Sequence, residues 1–135
     1  MKLFITGASG FVGHHIAARF REEGWDVTAL ARPSSKVLAL RELGVGVHQG
    51  ELANGVSYAR AVEGSDVVVH CAGAIKARNL DEFMSINARS AGEVAHVAAE
   101  LGVPRLVLIS SIAARGPMLP DNEPFAPVSM YGRSK

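Results

Sequence analysis

The chain has 135 residues, 48% of them apolar and 20% charged, with a formal net charge of +1 and a single cysteine. This balance belongs to a folded domain with one core and not to a disordered chain, and it makes no electrostatic case for nucleic acid or an anionic membrane as partner. Cys71 alone offers neither a disulfide nor a cysteine metal site, no apolar run reaches membrane-spanning length, and Met1-Lys2 leads straight into a strand, so no removable signal peptide is expected and the cytoplasm is the default location.

Leu3-Phe4-Ile5 reads as a first strand, and Val12, Ile16 and Phe20 recur at one-turn spacing just after it. Between them lies Thr6-Gly7-Ala8-Ser9-Gly10-Phe11-Val12-Gly13, a glycine-rich turn joining strand to helix. In that setting Gly7 allows the tight turn, Gly10 lets the backbone approach a pyrophosphate, and Gly13 lets the helix lie close to the strand. Ser9, Phe11 and Val12 complete the expected phosphate seat, where the first free N–H groups of the helix point at the ligand. The spacing is G-x-x-G-x-x-G, a variant of the dinucleotide-binding fingerprint, and an ordinary glycine-rich turn is the plain alternative.

Further along, Gly24 closes the first helix and Asp26 to Arg32 forms a second strand ending at Pro33-Ser34-Ser35. A short helix over Lys36 to Leu43 stops at Gly44, and Val45 to His48 makes a third strand weakened by its inner glycine. A helix near Val56 to Val62 stops at Gly64, and Asp66 to Cys71 is a buried strand. Asn79-Leu80-Asp81-Glu82 resembles a capping box opening a helix whose apolar stripe is Phe83, Ile86, Val94, Val97, Ala98 and Leu101. Gly102 and Pro104 end it, Arg105 to Ser110 is a fifth strand, and a Gly/Pro-rich loop runs from Ala113 to Ser129.

Strands alternating with helices predict an α/β fold with a doubly wound parallel sheet, ordered 3-2-1-4-5. Thr6 to Gly10, Arg32 to Ser35, Glu51-Leu52, His70 to Gly73 and Ser110-Ser111 then each follow a different strand at its carboxyl end, the edge where such sheets bind ligands.

With these pieces in place the chain resembles the extended short-chain dehydrogenase/reductases, the NAD(P)-dependent epimerase/dehydratase family of Rossmann enzymes. The resemblance rests on the glycine loop, on Gly50-Glu51-Leu52 where the family usually has Gly-Asp-Leu, and on His70-Cys71-Ala72-Gly73. Asn87, Ser110-Ser111 and Tyr131-Gly132-Arg133-Ser134-Lys135 follow in the family's order. It implies a dinucleotide cofactor held by Gly7, Ser9, Gly10, Phe11, Val12, Gly13, Arg32, Glu51, Leu52, Ala72, Gly73 and Asn87. It also implies a small-molecule substrate, a nucleotide sugar or similar hydroxyl or carbonyl compound, and a possible homodimer.

The chemistry implied is hydride transfer with a proton moving on or off the substrate oxygen. A tyrosine hydroxyl, with an ordinary pKa of about 10, is poorly matched to that task at neutral pH. A lysine one helical turn away favours the phenolate. Tyr131 is the expected acid/base, Lys135 its tuner, and Ser111 the group that holds the substrate oxygen. Plainer roles stand beside these: Ser111 as a turn former, Asn87 as a polar residue on a solvated helix face, and a chance Tyr-Lys spacing. His70 and Cys71 read as core residues, and Tyr58 and Trp25 as packing residues.

At the end of the second strand an acidic residue would bind ribose hydroxyls, whereas an arginine accommodates a 2′-phosphate. Ala31-Arg32 stands there, so NADP is favoured over NAD. Family members continue beyond a Tyr-x-x-x-Lys motif into a carboxyl-terminal substrate domain, and this chain stops at Lys135. The expectations that follow are a marginal terminal turn, apolar side chains exposed on the sheet face that a continuing helix would cover, and inactivity of the chain by itself. The alternative function is a dinucleotide-binding module without catalysis.

Overall fold

The computed structural model describes residues 1–117 and 126–135. Pro120 and Pro124 of the expected Gly/Pro-rich loop lie outside the described residues. Five parallel strands, β1 (Lys2–Thr6), β2 (Asp26–Ala31), β3 (Gly46–Gln49), β4 (Val67–His70) and β5 (Leu106–Leu108), form one sheet in the order β3-β2-β1-β4-β5. This is the expected Rossmann arrangement.

The helices are α1 (Phe11–Glu22), α2 (Leu38–Glu42), α3 (Ala59–Val62), α4 (Leu80–Phe83), α5 (Ser90–Glu100), α6 (Ile112–Arg115) and α7 (Met130–Ser134). A 3₁₀ turn at Gly55–Ser57 precedes α3, and a π-helical stretch at Met84–Arg89 joins α4 to α5.

Strand geometry explains the two-sided core, because successive side chains point to opposite faces. Leu3, Ile5, Val27, Ala29, Val67 and Val69 pack on one face with Ala17 of α1 and Leu40 of α2. Phe4, Leu30 and Val68 pack on the other with Tyr58, Val62 and Val94, Val97 and Ala98 of α5. Leu3, Phe4 and Ile5 are fully buried, each contributing roughly 2 kcal/mol by the area it removes from water. Trp25 packs edge-on against Phe20, and Tyr58 is enclosed beside Phe4 with its hydroxyl donating to the Leu52 carbonyl at 3.3 Å.

Register aligns the carboxyl ends. Thr6 sits opposite Leu30 and His70, and His70 opposite Leu108. The segments leaving β1, β2, β4 and β5 therefore emerge together along one edge.

Three details depart from the sequence reading. The stretch read as loop from Ala113 contains α6, begun by Ser111, whose Oγ accepts from the Ala113 N–H at 3.2 Å. Asn79 does cap α4, accepting from the Glu82 N–H at 2.9 Å, but the Glu82 carboxylate reaches back to the Arg78 N–H at 2.6 Å and not to Asn79 itself. The apolar stripe does not run through the π stretch unchanged. Its wider turn advances the helix face by a residue, so Asn87 is buried while Ile86 is half-exposed.

Leu106, Val107 and Leu108 of β5 are all partly exposed, at 42%, 45% and 48%. Apolar side chains thus lie open on β5. Among the described residues, no helix is long and apolar enough to cross a membrane.

Candidate functional site

The glycine turn is shaped by backbone overlaps. Gly7 has φ +74°, a region that side-chain-bearing residues avoid. A Cβ there would also lie 2.5 Å from the Ala72 nitrogen, so the turn is pressed against the segment leaving β4. A Cβ on Gly13 would overlap the Gly7 carbonyl oxygen, so α1 starts hard against the turn. Gly10 differs: the nearest atom to a Cβ there is the Gly7 oxygen at 3.4 Å, an ordinary contact.

Packing within the protein thus requires glycine at positions 7 and 13 but not at 10. Gly10 is the residue before α1; no side chain caps the helix there, and its first turn carries no acidic residue. The first N–H groups of a helix have no partner inside it and carry partial positive charge. An uncapped 12-residue helix opening at a bare glycine is a fitting seat for an anionic diphosphate.

A cleft of about 530 Å³ lies over this turn. Gly7, Ser9, Gly10, Arg32, Glu51, Leu52, Ala72 and Gly73 all line it, brought together from four strand ends. Phe11 and Val12 instead line a separate apolar groove along α1, with His15 and Arg19. Gly13 lies behind the turn.

On the β2 side, Arg32 and Ser35 form a tight turn in which the Ser35 N–H donates to the Arg32 carbonyl at 2.9 Å and the Ser35 hydroxyl accepts from the Arg32 N–H at 3.2 Å. Both side chains border the cleft. Glu51 is held through its N–H, which donates to the Ser57 hydroxyl at 3.0 Å, and its carboxylate stays exposed.

At the end of β4, Thr6 joins two strands: its hydroxyl lies 2.8 Å from His70 Nδ1 and accepts from the Ala72 N–H at 3.2 Å. His70 is buried, and its Nε2 makes no hydrogen bond among the described residues. Burial, and secondarily the Lys135 ammonium, lower its pKa to about 4, so the ring is neutral at physiological pH. Cys71 also borders the cleft. Burial pushes its thiol up, with the Lys135 ammonium acting the other way, so the thiol stays protonated and poorly nucleophilic.

Asn87 does not reach the cleft wall. It is buried behind Gly73 and Ala74, where its Oδ1 accepts from the Ala74 N–H at 2.7 Å and its Nδ2 donates to the Ala74 carbonyl at 3.0 Å and the Ser134 hydroxyl at 2.9 Å. The solvated-face reading of Asn87 is therefore corrected: the π turn carries it inward. Ser85, Ile86 and Ser90 on and beside that turn line the cleft instead, and no local sequence signal marks a π turn that a buried carboxamide holds in place.

The Tyr131 segment, expected to be marginal, is docked. Ser129 caps α7 by accepting from the Gly132 N–H at 2.9 Å, and a Cβ on Gly132 would overlap the Ala113 carbonyl oxygen of α6. Helix α6 begins at Ser111, so this close approach draws the Tyr131 and Ser111 segments together. The Tyr131 ring lies 6.1 Å from that of Phe83. Lys135 projects towards Gly73, where a Cβ would lie 3.5 Å from its Nζ. Burial holds its ammonium below the ordinary lysine value, while the neighbouring Cys71 acts in the opposite direction.

A glycine-built turn at the carboxyl edge of a parallel 3-2-1-4-5 sheet, with a Tyr-x-x-x-Lys turn at the far end, defines a Rossmann fold. Residues 3–135 match the NAD dependent epimerase/dehydratase family, and the chain belongs to it. The ceramide reductase of Caulobacter vibrioides is 38% identical over 115 residues, 85% of this chain and 36% of that protein. The UDP-Glc/GlcNAc 4-epimerase from Campylobacter jejuni superimposes over 99% of this chain and 45% of its own, with a TM-score of 0.87 at 23% identity. The Bordetella bronchiseptica enzyme WbmG, solved in complex with NAD and UDP, covers 98% of this chain and 46% of its own, with a TM-score of 0.79 at 26% identity. The chain spans less than half the length of each of these proteins.

Proposed function

We propose that the chain is the nucleotide-binding portion of an NAD(P)-dependent reductase or epimerase/dehydratase that moves hydride between a nicotinamide and a hydroxyl- or carbonyl-bearing carbon. The observation that carries the reading is Gly10: nothing among the described residues needs a bare α-carbon there, yet it borders the cleft at the uncapped start of α1. The NAD seen in the WbmG complex supports it.

In this reading the diphosphate rests on the N–H groups around Ser9 to Gly13, and Glu51 and Leu52 border the adenine. Gly73 floors the inner end, with Asn87 fixing that floor from behind. The bound nicotinamide supplies or accepts the hydride. Tyr131 gives or takes the proton of the substrate oxygen, and the Lys135 ammonium stabilises its phenolate. Ser111 Oγ already accepts a hydrogen bond as cap of α6, which leaves its O–H free to donate to the substrate oxygen. The substrate is a nucleotide sugar or a similar carbonyl or hydroxyl compound, and reduction is favoured by the reductase activity of the relative at 38% identity.

Arg32 at the cleft margin favours NADP, because a guanidinium pairs well with a phosphate monoester. Calorimetric titration with NADP, NADPH, NAD and NADH tests both statements. Binding is expected, tighter for the phosphorylated pair, and Arg32→Ala should weaken NADP by about tenfold or more, close to 1.4 kcal/mol, while leaving NAD unchanged. No binding of any of the four overturns the reading. Where turnover is measurable, Tyr131→Phe should abolish it with dinucleotide affinity intact. A second reading, dinucleotide binding without catalysis, is favoured by a cleft lining that, among the described residues, does not include Ser111, Tyr131 or Lys135; an active wild-type chain that loses turnover as Tyr131→Phe would exclude it.

A further inference from the structure

The hydrogen bonds that satisfy Asn87 continue past it into α7. Asn87 Nδ2 spends both of its hydrogens, one on the Ala74 carbonyl and one on Ser134 Oγ. Ser134 in turn donates to the Tyr131 carbonyl at 2.7 Å. Asn87 is 3% exposed and Ser134 4%, so water does not replace any of these partners.

In a regular helix the Tyr131 carbonyl would accept from the N–H four residues on, that of Lys135. Here the Lys135 N–H donates to the Gly132 carbonyl at 3.2 Å, and the Ser134 hydroxyl holds the Tyr131 carbonyl. Tyr131 and Lys135 are thus spaced through a side chain that is tied to the cleft floor, not through the helical ladder alone.

We infer that Ser134 is a positioning residue: by joining the Asn87 carboxamide to the Tyr131 carbonyl it fixes the Tyr131–Lys135 turn relative to Gly73 and Ala74. The inference takes its catalytic meaning from the function proposed above, but its geometry is independent of it. Three groups would register a slip of the turn, because the Lys135 ammonium sits beside Gly73 with Cys71 and His70 as its charged or titratable neighbours.

The test uses the chain with isotopically labelled lysine. Four lysines are present, and Lys135→Arg assigns the fourth signal in the NMR titration. Ser134→Ala should shift the Lys135 midpoint upward, towards the ordinary lysine value, as the released turn takes its ammonium into water. Ser134→Thr, which keeps the hydroxyl, should restore it. Dinucleotide affinity should stay within about twofold of wild type in both, since the phosphate seat is built elsewhere.

A folded Ser134→Ala protein with an unchanged Lys135 titration overturns the inference, as does a threonine variant that titrates like the alanine one. Should the alanine variant fail to fold, Ser134→Cys keeps the volume, weakens both bonds and reads the same quantities. If wild type binds no dinucleotide, the proposed function fails, while the lysine titration still decides whether Ser134 positions the turn.

Discussion

The two ends of the cleft are built differently. At the β1 end the seat is made of backbone: Gly7 and Gly13 sit where any Cβ would strike main-chain atoms, and no side-chain hydrogen bond caps α1. At the β4 and β5 end the wall is held from behind by side chains: Thr6 to His70 and Ala72, Asn87 to Ala74 and Ser134, Ser129 and Ser111 as caps. A backbone-built seat tolerates no side chain where main-chain atoms meet, at Gly7 and Gly13, whatever side chains its neighbours carry. A side-chain-built wall can be retuned one residue at a time, and it depends on partners far away in the chain.

The largest effect should come from the seat. Gly13→Ala drives a methyl into the Gly7 carbonyl, and Gly7→Ala adds a left-handed φ to a clash with the Ala72 nitrogen. Each should destabilise by about 3 kcal/mol or more, read as a large drop in the urea midpoint, with dinucleotide binding lost as well. A protein that accepts Gly13→Ala without loss of stability would mean that the close approach of α1 is not a constraint, and one that accepts Gly7→Ala that the approach of the segment leaving β4 is not.

The other end should reveal itself through pH. His70 is neutral in the folded protein down to about pH 4, whereas in the unfolded chain it protonates near 6.5. Between these values the unfolded state binds the extra proton, so the contribution of His70 is complete above about pH 6.5 and is lost as pH falls towards 4. The loss is at most about 3 kcal/mol. His70→Gln, which cannot titrate, should flatten the stability profile across that window relative to wild type. Parallel profiles for the two proteins would show that His70 is protonated in the fold.

This division also explains what could be read in the sequence. The sheet order followed from apolar runs separated by crossover lengths, and the roles of Gly7 and Gly13 followed from glycine spacing within one turn, although Gly7 also meets Ala72 far along the chain. The π turn could not be read, because Asn87 is turned inward by an amide 13 residues away, at Ala74; the apolar stripe therefore placed Ile86 inside when it borders the cleft. Helix α6 was hidden in a stretch rich in glycine and proline because its start depends on Ser111 as cap. The docking of α7 depends on Gly132 meeting the Ala113 carbonyl, a contact that an isolated Tyr-Gly-Arg-Ser-Lys run does not announce. Ser134 went unnoticed within that same motif because its partners are Asn87 and a main-chain carbonyl.

The smallest effect on stability, and the sharpest test of the comparison, is Gly10→Ala. Its backbone, at φ −91° and ψ 171°, is one that alanine adopts freely, and the added methyl would meet only the Gly7 oxygen at 3.4 Å. Folding stability should therefore change by less than about 0.5 kcal/mol. The methyl nevertheless stands at the mouth of the uncapped helix, between the backbone and any diphosphate seated there, so dinucleotide affinity should fall by about tenfold or more. Stability preserved with affinity lost would show that position 10 is a glycine for the ligand's sake while positions 7 and 13 are glycines for the protein's. A Gly10→Ala protein that binds as tightly as wild type would place the diphosphate somewhere other than the start of α1.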